Sequence, residues 1–269
     1  MTTLTISPAR TTAARPKLAP LTAEAVFVKR SIIHSLRTPD VIIMAIMLPV
    51  ILMLLFTFVF GGAFESDGSY VDYVVPGIIL LCAGFGAASV AVDVGNDMTN
   101  GIIDRFRTMP LRASAVITGH VVASLLRNLV ATGIVIGVGL LVGFRPNGTP
   151  LEWLVAAGLI AFYILAMTYL FAAIGLAASS PEAAGGYGFI LMFVPYLSSA
   201  FVPIDTMPTW LQWIAQNQPL TPIIETIRGL LMGGDIAPYW PAALIWSVGI
   251  IAIATAWGAW LFKRKAGAR

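Results

Sequence analysis

Long apolar runs separated by short polar connections dominate the 269-residue chain. A helix needs about 20 predominantly apolar residues to cross a hydrocarbon core of ~30 Å. Continuous apolar runs, rather than strict alternation, favour helices over the strands of a membrane barrel. The pattern therefore predicts an all-α integral membrane protein with six transmembrane helices, at about residues 41–61, 74–97, 115–143, 152–178, 187–204 and 239–262.

Composition agrees with a membrane protein, because 58% of the residues are hydrophobic and 11% are charged, against roughly 25% charged residues in a soluble domain. The single cysteine, Cys82, lies inside an apolar run, so an intramolecular disulfide is impossible. Two histidines and dispersed acidic residues form no pattern typical of a metal site, and none is predicted.

The basic residues of the connections predict the orientation. They concentrate before the first span, between the second and third spans, and after the last one, whereas only Arg145 and Arg228 lie in the connections of the other side. Because Lys and Arg favour cytoplasmic connections, both termini are predicted to be cytoplasmic. Residues 1–20, rich in Thr, Ala and Pro, are predicted to form a disordered cytoplasmic tail, and residues 21–269 a single transmembrane domain.

Residues 22–38 show a helical spacing of apolar side chains, with basic residues elsewhere around the helix. This pattern predicts an amphipathic helix in the cytoplasmic interface that stops before Pro39. An ordinary membrane anchor, with basic side chains reaching the headgroups, is the alternative. The residues predicted to act in this interfacial helix are Val28, Lys29, Arg30, Ile32, Leu36 and Arg37.

A short charged segment follows the second span on the predicted cytoplasmic side. Apolar residues can gather on one side of a short helix there, with Asp104, Arg105 and Arg107 exposed and Pro110 closing it. Such a helix suits insertion into a groove on a soluble partner. A loop that only fixes topology by its positive charge is the alternative.

The connection at residues 205–235 falls on the opposite side, yet it is too apolar for a solvated loop. Trp210 and Trp213 share a face of one short helix that Pro208 starts, and Thr221 is predicted to cap a second helix that Gly233 ends. Two short re-entrant helices fit, and an interfacial aromatic belt is the alternative. The predicted residues of these extracellular helices are Met207, Pro208, Trp210, Trp213, Pro219, Thr221, Glu225 and Arg228.

Arg127 falls inside the third predicted span, where placing a charged side chain in the hydrocarbon core costs more free energy than for any other residue of the chain. An intramembrane charge suggests a functional role with a partner, and Asp93 and Asp97 of the second span are the predicted candidates. A structural ion pair and direct contact with a transported molecule both remain open.

Two stretches resemble the type-2 ABC exporter permeases, and especially the daunorubicin-resistance, DrrB-like group. Residues 101–111 are similar to the family's Gly-Thr-Leu-Glu-Arg-Leu…Pro-Leu element, with Phe106 in place of the usual leucine. Residues 201–234 are similar to the segment before the family's last span, with Pro222 where the family usually has Tyr, His or Ser. The resemblance implies a coupling helix that docks on an ATPase subunit, formed by Gly101, Ile102, Ile103, Asp104, Arg105, Phe106, Arg107, Pro110 and Leu111.

The resemblance further implies the permease subunit of a drug-resistance efflux system in the bacterial cytoplasmic membrane, moving an amphipathic drug-like or lipid-like cargo outward. No phosphate-binding loop of the Gly-x-x-x-x-Gly-Lys-Ser/Thr type occurs in the sequence, so the chain itself is not expected to bind a cofactor or hydrolyse ATP. ATP and Mg would belong to a partner ATPase in two copies. A second permease subunit, identical or related, and membrane lipids complete the expected partners, with no nucleic acid.

Three other readings compete with an ABC permease. A membrane enzyme acting on lipid-linked substrates would need clustered acidic or histidine residues. A secondary transporter would need residues that bind a coupling ion near the midplane of the membrane, and Arg127 alone is weak support for that. A scaffold leaves the two resemblances unexplained.

Overall fold

The computed structural model describes residues 39–63, 70–99 and 114–267. Every regular element in these ranges is helical, as the sequence predicts. We number the α-helices in chain order: α1 Pro39–Leu55, α2 Tyr70–Thr99, α3 Ser114–Val142, α4 Pro150–Ala177, α5 Pro181–Leu191, α6 Thr209–Asn217, α7 Leu220–Met232 and α8 Trp240–Gly267. A π-helical turn, Phe56–Phe60, and a 3-10 turn, Gly61–Ala63, continue α1.

Four of these helices are long and apolar enough to cross a membrane. They contain the stretches Tyr70–Thr99, Val121–Val142, Pro150–Ala177 and Trp240–Leu261, which match the second, third, fourth and sixth predicted spans. A shorter apolar helix, Ala45–Phe60, lies where the first span is predicted. The chain is thus a helical integral membrane protein, as its hydropathy pattern indicates.

Helix α2 forms the centre of the bundle. In its most apolar 18-residue stretch 83% of the residues are buried, against 22% in the corresponding stretch of α8. It packs against α1, α3, α4 and α5. Helix α4 in turn packs against α7 and α8. Small residues make the close packing possible, since a Cβ on Gly175 of α4 would lie 2.5 Å from the carbonyl oxygen of Ala91. The apolar core runs along α2, and α8 covers its flank.

The fifth predicted span, residues 187–204, is wrong as a single helix. Helix α5 ends at Leu191, and a 3-10 turn, Val194–Leu197, follows with irregular backbone beyond it. Pro195 lacks an N–H, and its ring opposes a continuous helix. The Ser198 hydroxyl donates to the Pro195 carbonyl and accepts from the Ala200 amide at 3.1 Å, which replaces helical hydrogen bonding locally.

The interrupted segment still runs the length of α2. A Cβ on Gly95, near one end of α2, would lie 3.2 Å from Pro181, and a Cβ on Gly77 would lie 2.6 Å from Ala200. About 27 Å of helix separates these two glycines at 1.5 Å per residue. Residues 181–200 therefore cover roughly the thickness of a hydrocarbon core without forming one helix.

The bundle has two distinct ends. At the first, which we call the Arg228 end, the Arg145 amide donates to Asp72 at 2.8 Å and the Tyr70 hydroxyl donates to the Phe201 carbonyl at 2.9 Å. The loop after α3 also docks on α7 there, through the Gly148 amide. At the second, which we call the Pro181 end, α2 terminates at Thr99 and α5 begins.

Candidate functional site

Arg228 of α7 organises one end of the bundle. Its guanidinium pairs with Glu225 one turn earlier and donates to the backbone carbonyls of Tyr73, at 3.1 Å and 3.2 Å, and Ser199, at 2.8 Å. The guanidinium carbon also lies 3.8 Å from the centroid of the Tyr73 ring. We call these four residues the Arg228 cluster; it joins α7, α2 and the irregular segment after α5.

Burial makes this cluster more than a surface ion pair. The Arg228 side chain is 13% exposed and that of Glu225 is 20% exposed, so the charges interact with limited screening by water. The Tyr73 hydroxyl also donates to the Ser199 carbonyl at 2.9 Å. The sequence identified Glu225 and Arg228 from their spacing, but not Tyr73 or Ser199, which no local pattern links to them.

The predicted short helices before the last span are present as α6 and α7. Trp210 and Trp213 share one exposed face of α6, with 69% and 70% of their surfaces accessible. Pro208 is the N-cap of α6, not its first residue as the sequence predicts, because the helix begins at Thr209. The Met207 carbonyl just before it accepts from the Gln212 side chain at 2.8 Å. A short helix with two exposed indoles suits a membrane interface.

Thr221 does not cap α7, contrary to the sequence-based expectation. The helix begins at Leu220, one residue earlier, with Pro219 at the N-cap. The buried Thr221 hydroxyl instead donates to the Ala215 carbonyl at 2.5 Å and so ties α7 to α6. The predicted end is confirmed, because Gly233 has a φ of 77° and its amide donates to the Gly229 carbonyl.

Arg127 lies in the interior of α3 and reaches across to α2. Its guanidinium donates to the Ser89 hydroxyl at 2.5 Å and, more weakly, to the Gly86 carbonyl at 3.4 Å. Asp93, one turn further along α2, is close enough to attract Arg127 electrostatically. Asp97, a further turn along, is partly buried on the same helix. The sequence analysis predicted Asp93 and Asp97 as partners of Arg127, but it did not predict Ser89 or Gly86.

A buried polar seam continues from Arg127 into the bundle. The Asn128 amide donates to the Ser124 hydroxyl at 3.2 Å, and Ser124 lies 3.3 Å from the Thr168 hydroxyl of α4. Asn128 also fits directly against Gly86, where a Cβ would lie 1.4 Å from its side-chain oxygen. Ser124, Asn128 and Thr132 recur every four residues, a signal in the sequence that could have located this seam.

Two groups of predicted site residues lie outside the described part of the chain. They are the interfacial-helix residues at 28–37 and the coupling-helix residues at 101–111. The described chain reaches Thr99 before the latter group and resumes at Ser114, both in helices of the central bundle. Among the described residues, no group of His, Cys, Asp and Glu could hold a metal ion.

Comparison with known proteins adds independent findings. A family model described as ABC-2 type transporter matches residues 23–232. A daunorubicin resistance ABC transporter permease protein of Streptomyces coeruleorubidus is 31% identical, over 80% of this chain and 77% of its own. A probable doxorubicin resistance ABC transporter permease protein of Mycobacterium tuberculosis is 26% identical, over 79% of this chain and 78% of its own. A putative transport permease of Cyanophora paradoxa is 28% identical, over 76% of this chain and 72% of its own.

Proposed function

Because this chain belongs to the ABC-2 type transporter family, as the transmembrane permease subunit of an ABC exporter, we propose that it moves an amphipathic drug-like or lipid-like cargo outward. The cargo class is supported by the drug-resistance names of its relatives and by the apolar interior of the bundle. A separate ABC ATPase supplies the energy. ATP and Mg²⁺ bind to that partner.

The proposed topology has six crossings in a bacterial cytoplasmic membrane, with the Arg228 end outside and both termini in the cytoplasm. Four long helices, the shorter apolar helix at α1 and the 181–200 segment support six crossings. The distribution of Lys and Arg supports the orientation, because the basic connections adjoin the Pro181 end.

Energy is proposed to enter through residues 101–111, which form the coupling helix on the ATPase, assisted by the interfacial helix at residues 22–38. Two ATPase copies and a second permease subunit, identical or related, complete the transporter. When the ATPases close on ATP, the coupling helices move, the spans shift, and cargo leaves past α6 and α7.

One observation carries this mechanism: α2 links the two ends as a single buried helix. Thr99 ends α2 immediately before the proposed coupling segment, and Tyr73, near its other end, belongs to the Arg228 cluster. A packed helix transmits displacement because close-packed interiors deform little. Motion that reaches Thr99 would therefore be passed to the contacts of α7 along one packed helix.

Co-purification tests the proposed coupling. The tagged chain is extracted from its native membrane in mild detergent, and stoichiometric partners are compared with those of the Asp104→Lys/Arg105→Glu variant. We expect an ABC ATPase with the unmodified chain and its loss, by at least tenfold, from the variant, since the reversed charges face the partner.

A matched charge reversal at the other end serves as the control. Arg145→Glu/Asp235→Lys changes the same number and kinds of charge at exposed positions of the Arg228 end. We expect this control to keep its ATPase. An ATPase retained by both variants would contradict the coupling role of residues 101–111, and a well-folded unmodified chain with no ATPase would contradict the exporter assembly.

A further inference from the structure

A cavity of about 200 Å³ lies between α2, α4 and the interruption that follows α5. Its walls include Gly84 and Phe85 of α2, Tyr163 and Met167 of α4, and Met192 just after α5. Leu220, the first residue of α7, and Ile250 of α8 also line it. The cavity is open on one side, and all of these wall residues belong to this single chain.

The cavity lies near the middle of α2. Its wall residues on α2, Leu81 to Phe85, lie about 17–22 Å from the first residue of that helix at 1.5 Å per residue. The break at residues 192–197 explains why space exists there, because the backbone turns away from the regular rows that a continuous helix would pack against α2. Met167 and Met192 give the walls adaptable side chains.

Tyr163 supplies the polar feature of this otherwise apolar wall. Its side chain is 2% exposed, and its hydroxyl oxygen lies 3.6 Å from the position of a Cβ on Gly84, another wall residue. A hydroxyl that borders an apolar cavity gains a hydrogen bond when an acceptor binds there.

We propose that this cavity binds a compact apolar group of one or two rings that carries a hydrogen-bond acceptor, such as a ring carbonyl. The volume of about 200 Å³ accommodates one ring, because an apolar cavity of about 150 Å³ holds benzene, and a second ring can extend through the open side of the cavity. The Tyr163 hydroxyl donates to the acceptor, and Phe85, Met167 and Met192 contact the ring. Its use as a cargo subsite rests on the proposed export function, whereas the binding itself does not depend on transport.

Benzophenone is the probe, since it has two rings and a carbonyl and forms covalent bonds to nearby C–H groups under ultraviolet light. The full chain is illuminated with benzophenone in detergent and in phosphatidylcholine nanodiscs, and labelled peptides are identified by mass spectrometry. We expect preferential labelling of Met167 or Met192 in both settings. With isotopically labelled benzophenone as the photoprobe, diphenylmethane, which lacks the carbonyl, should compete about fivefold less well than unlabelled benzophenone.

Two variants separate the volume of the cavity from the hydroxyl. Gly84→Leu fills the cavity and should lower the labelling at least tenfold, while Gly158→Leu, on an open face of α4, should leave it unchanged. Tyr163→Phe keeps the wall and should weaken benzophenone binding about fivefold, which abolishes the difference from diphenylmethane. This second variant keeps the test decisive even if Gly84→Leu does not fold.

Three results would overturn the proposal. They are labelling spread over the surface and unaffected by Gly84→Leu, equal competition by the two compounds in the unmodified chain, and loss of labelling on transfer to nanodiscs. The last would assign the cavity to lipid acyl chains. Because ATP and transport are absent from the assay, these outcomes are independent of whether the chain exports cargo.

Discussion

Arg228 and Arg127 are both held within apolar surroundings, yet their contacts differ in kind. Arg228 pairs with a carboxylate, donates to two backbone carbonyls and lies on a tyrosine ring, joining three separate segments. The described hydrogen bonds of Arg127 go to one neighbouring helix, through Ser89 and Gly86.

Position along the bundle explains the difference. The Ser199 carbonyl belongs to an irregular segment and accepts from both Arg228 and the Tyr73 hydroxyl, whereas carbonyls in the middle of α2 already accept helical hydrogen bonds. Two of the contacts of Arg127 are therefore to the Ser89 hydroxyl and, at 3.4 Å, to the Gly86 carbonyl. The Arg228 contacts tie three segments together at the end of the bundle, and these two hydrogen bonds of Arg127 join α3 to α2 in its middle.

Arg228→Met should have the largest effect on stability. It removes the ion pair and both backbone contacts and leaves Glu225 as a mostly buried charge, so we expect a loss of about 3 kcal/mol in the free energy of unfolding. Thermal unfolding of the purified chain in detergent measures it. Arg145→Met is the matched control, since the Arg145 side chain is exposed and donates to nearby carbonyls of its own segment, and its loss should cost well under ~1 kcal/mol. Equal losses would show that the cluster does not join the segments energetically.

Gly86→Ala tests the packing at the middle of the bundle. The added Cβ would fall 1.4 Å from the side-chain oxygen of Asn128, which must move and lose its contact with Ser124. We expect a loss of about 2 kcal/mol. Gly158→Ala, where a Cβ meets nothing within 4 Å, should be neutral or slightly stabilising. Unfolding midpoints that fall equally in both variants would contradict the close fit between α2 and α3.

Glu225→Gln tests how much the ion pair with Arg228 contributes to stability. Arg228 keeps its carbonyl partners, so the expected loss is smaller, about 1–2 kcal/mol. In the Arg228→Met background the same change should have little further cost, because its partner is already gone. A double-mutant cycle of unfolding free energies measures the coupling. Strictly additive losses would mean that the two side chains do not stabilise each other.

Ser89→Ala should have the smallest effect of the four. It removes one hydrogen bond to Arg127 and leaves the carbonyl of Gly86 in place, so we expect a loss of about 1 kcal/mol. Ser247→Ala is the control, because that buried hydroxyl bonds only within α8 and its loss should be nearly neutral. A loss for Ser89→Ala no larger than for Ser247→Ala would rule out an energetic role for this contact.

Hydropathy predicted the four long helices because length and composition suffice for them. The second span, 74–97, falls within Tyr70–Thr99, and the fourth, 152–178, nearly coincides with Pro150–Ala177. The prediction of a single fifth helix was wrong because it relied on the uncharged apolar run. Pro195 and the two serines after it indicate a break in the helix. An apolar run indicates burial in lipid or protein, but it does not guarantee regular hydrogen bonding.

The candidate site was predictable only where its residues are close in sequence. Glu225 and Arg228 stand three apart, so their pairing could be anticipated, whereas Tyr73 lies 155 residues from Arg228. Ser89 likewise meets Arg127 only because α2 and α3 pack together. Tertiary packing creates these contacts, and periodicity within one segment carries no information about them.

The most direct test of the account is whether ATP opens the Arg228 end. Cys82, the single cysteine, is replaced by alanine, and Ser199→Cys places a thiol within the Arg228 cluster, at a residue that is 1% exposed. In nanodiscs containing the complex with its ATPase, maleimide labelling of this thiol should rise severalfold during ATP turnover and stay at its resting level without ATP. Labelling unaffected by ATP in an actively transporting complex would contradict the proposal that α2 conveys motion from the ATPase to the Arg228 end.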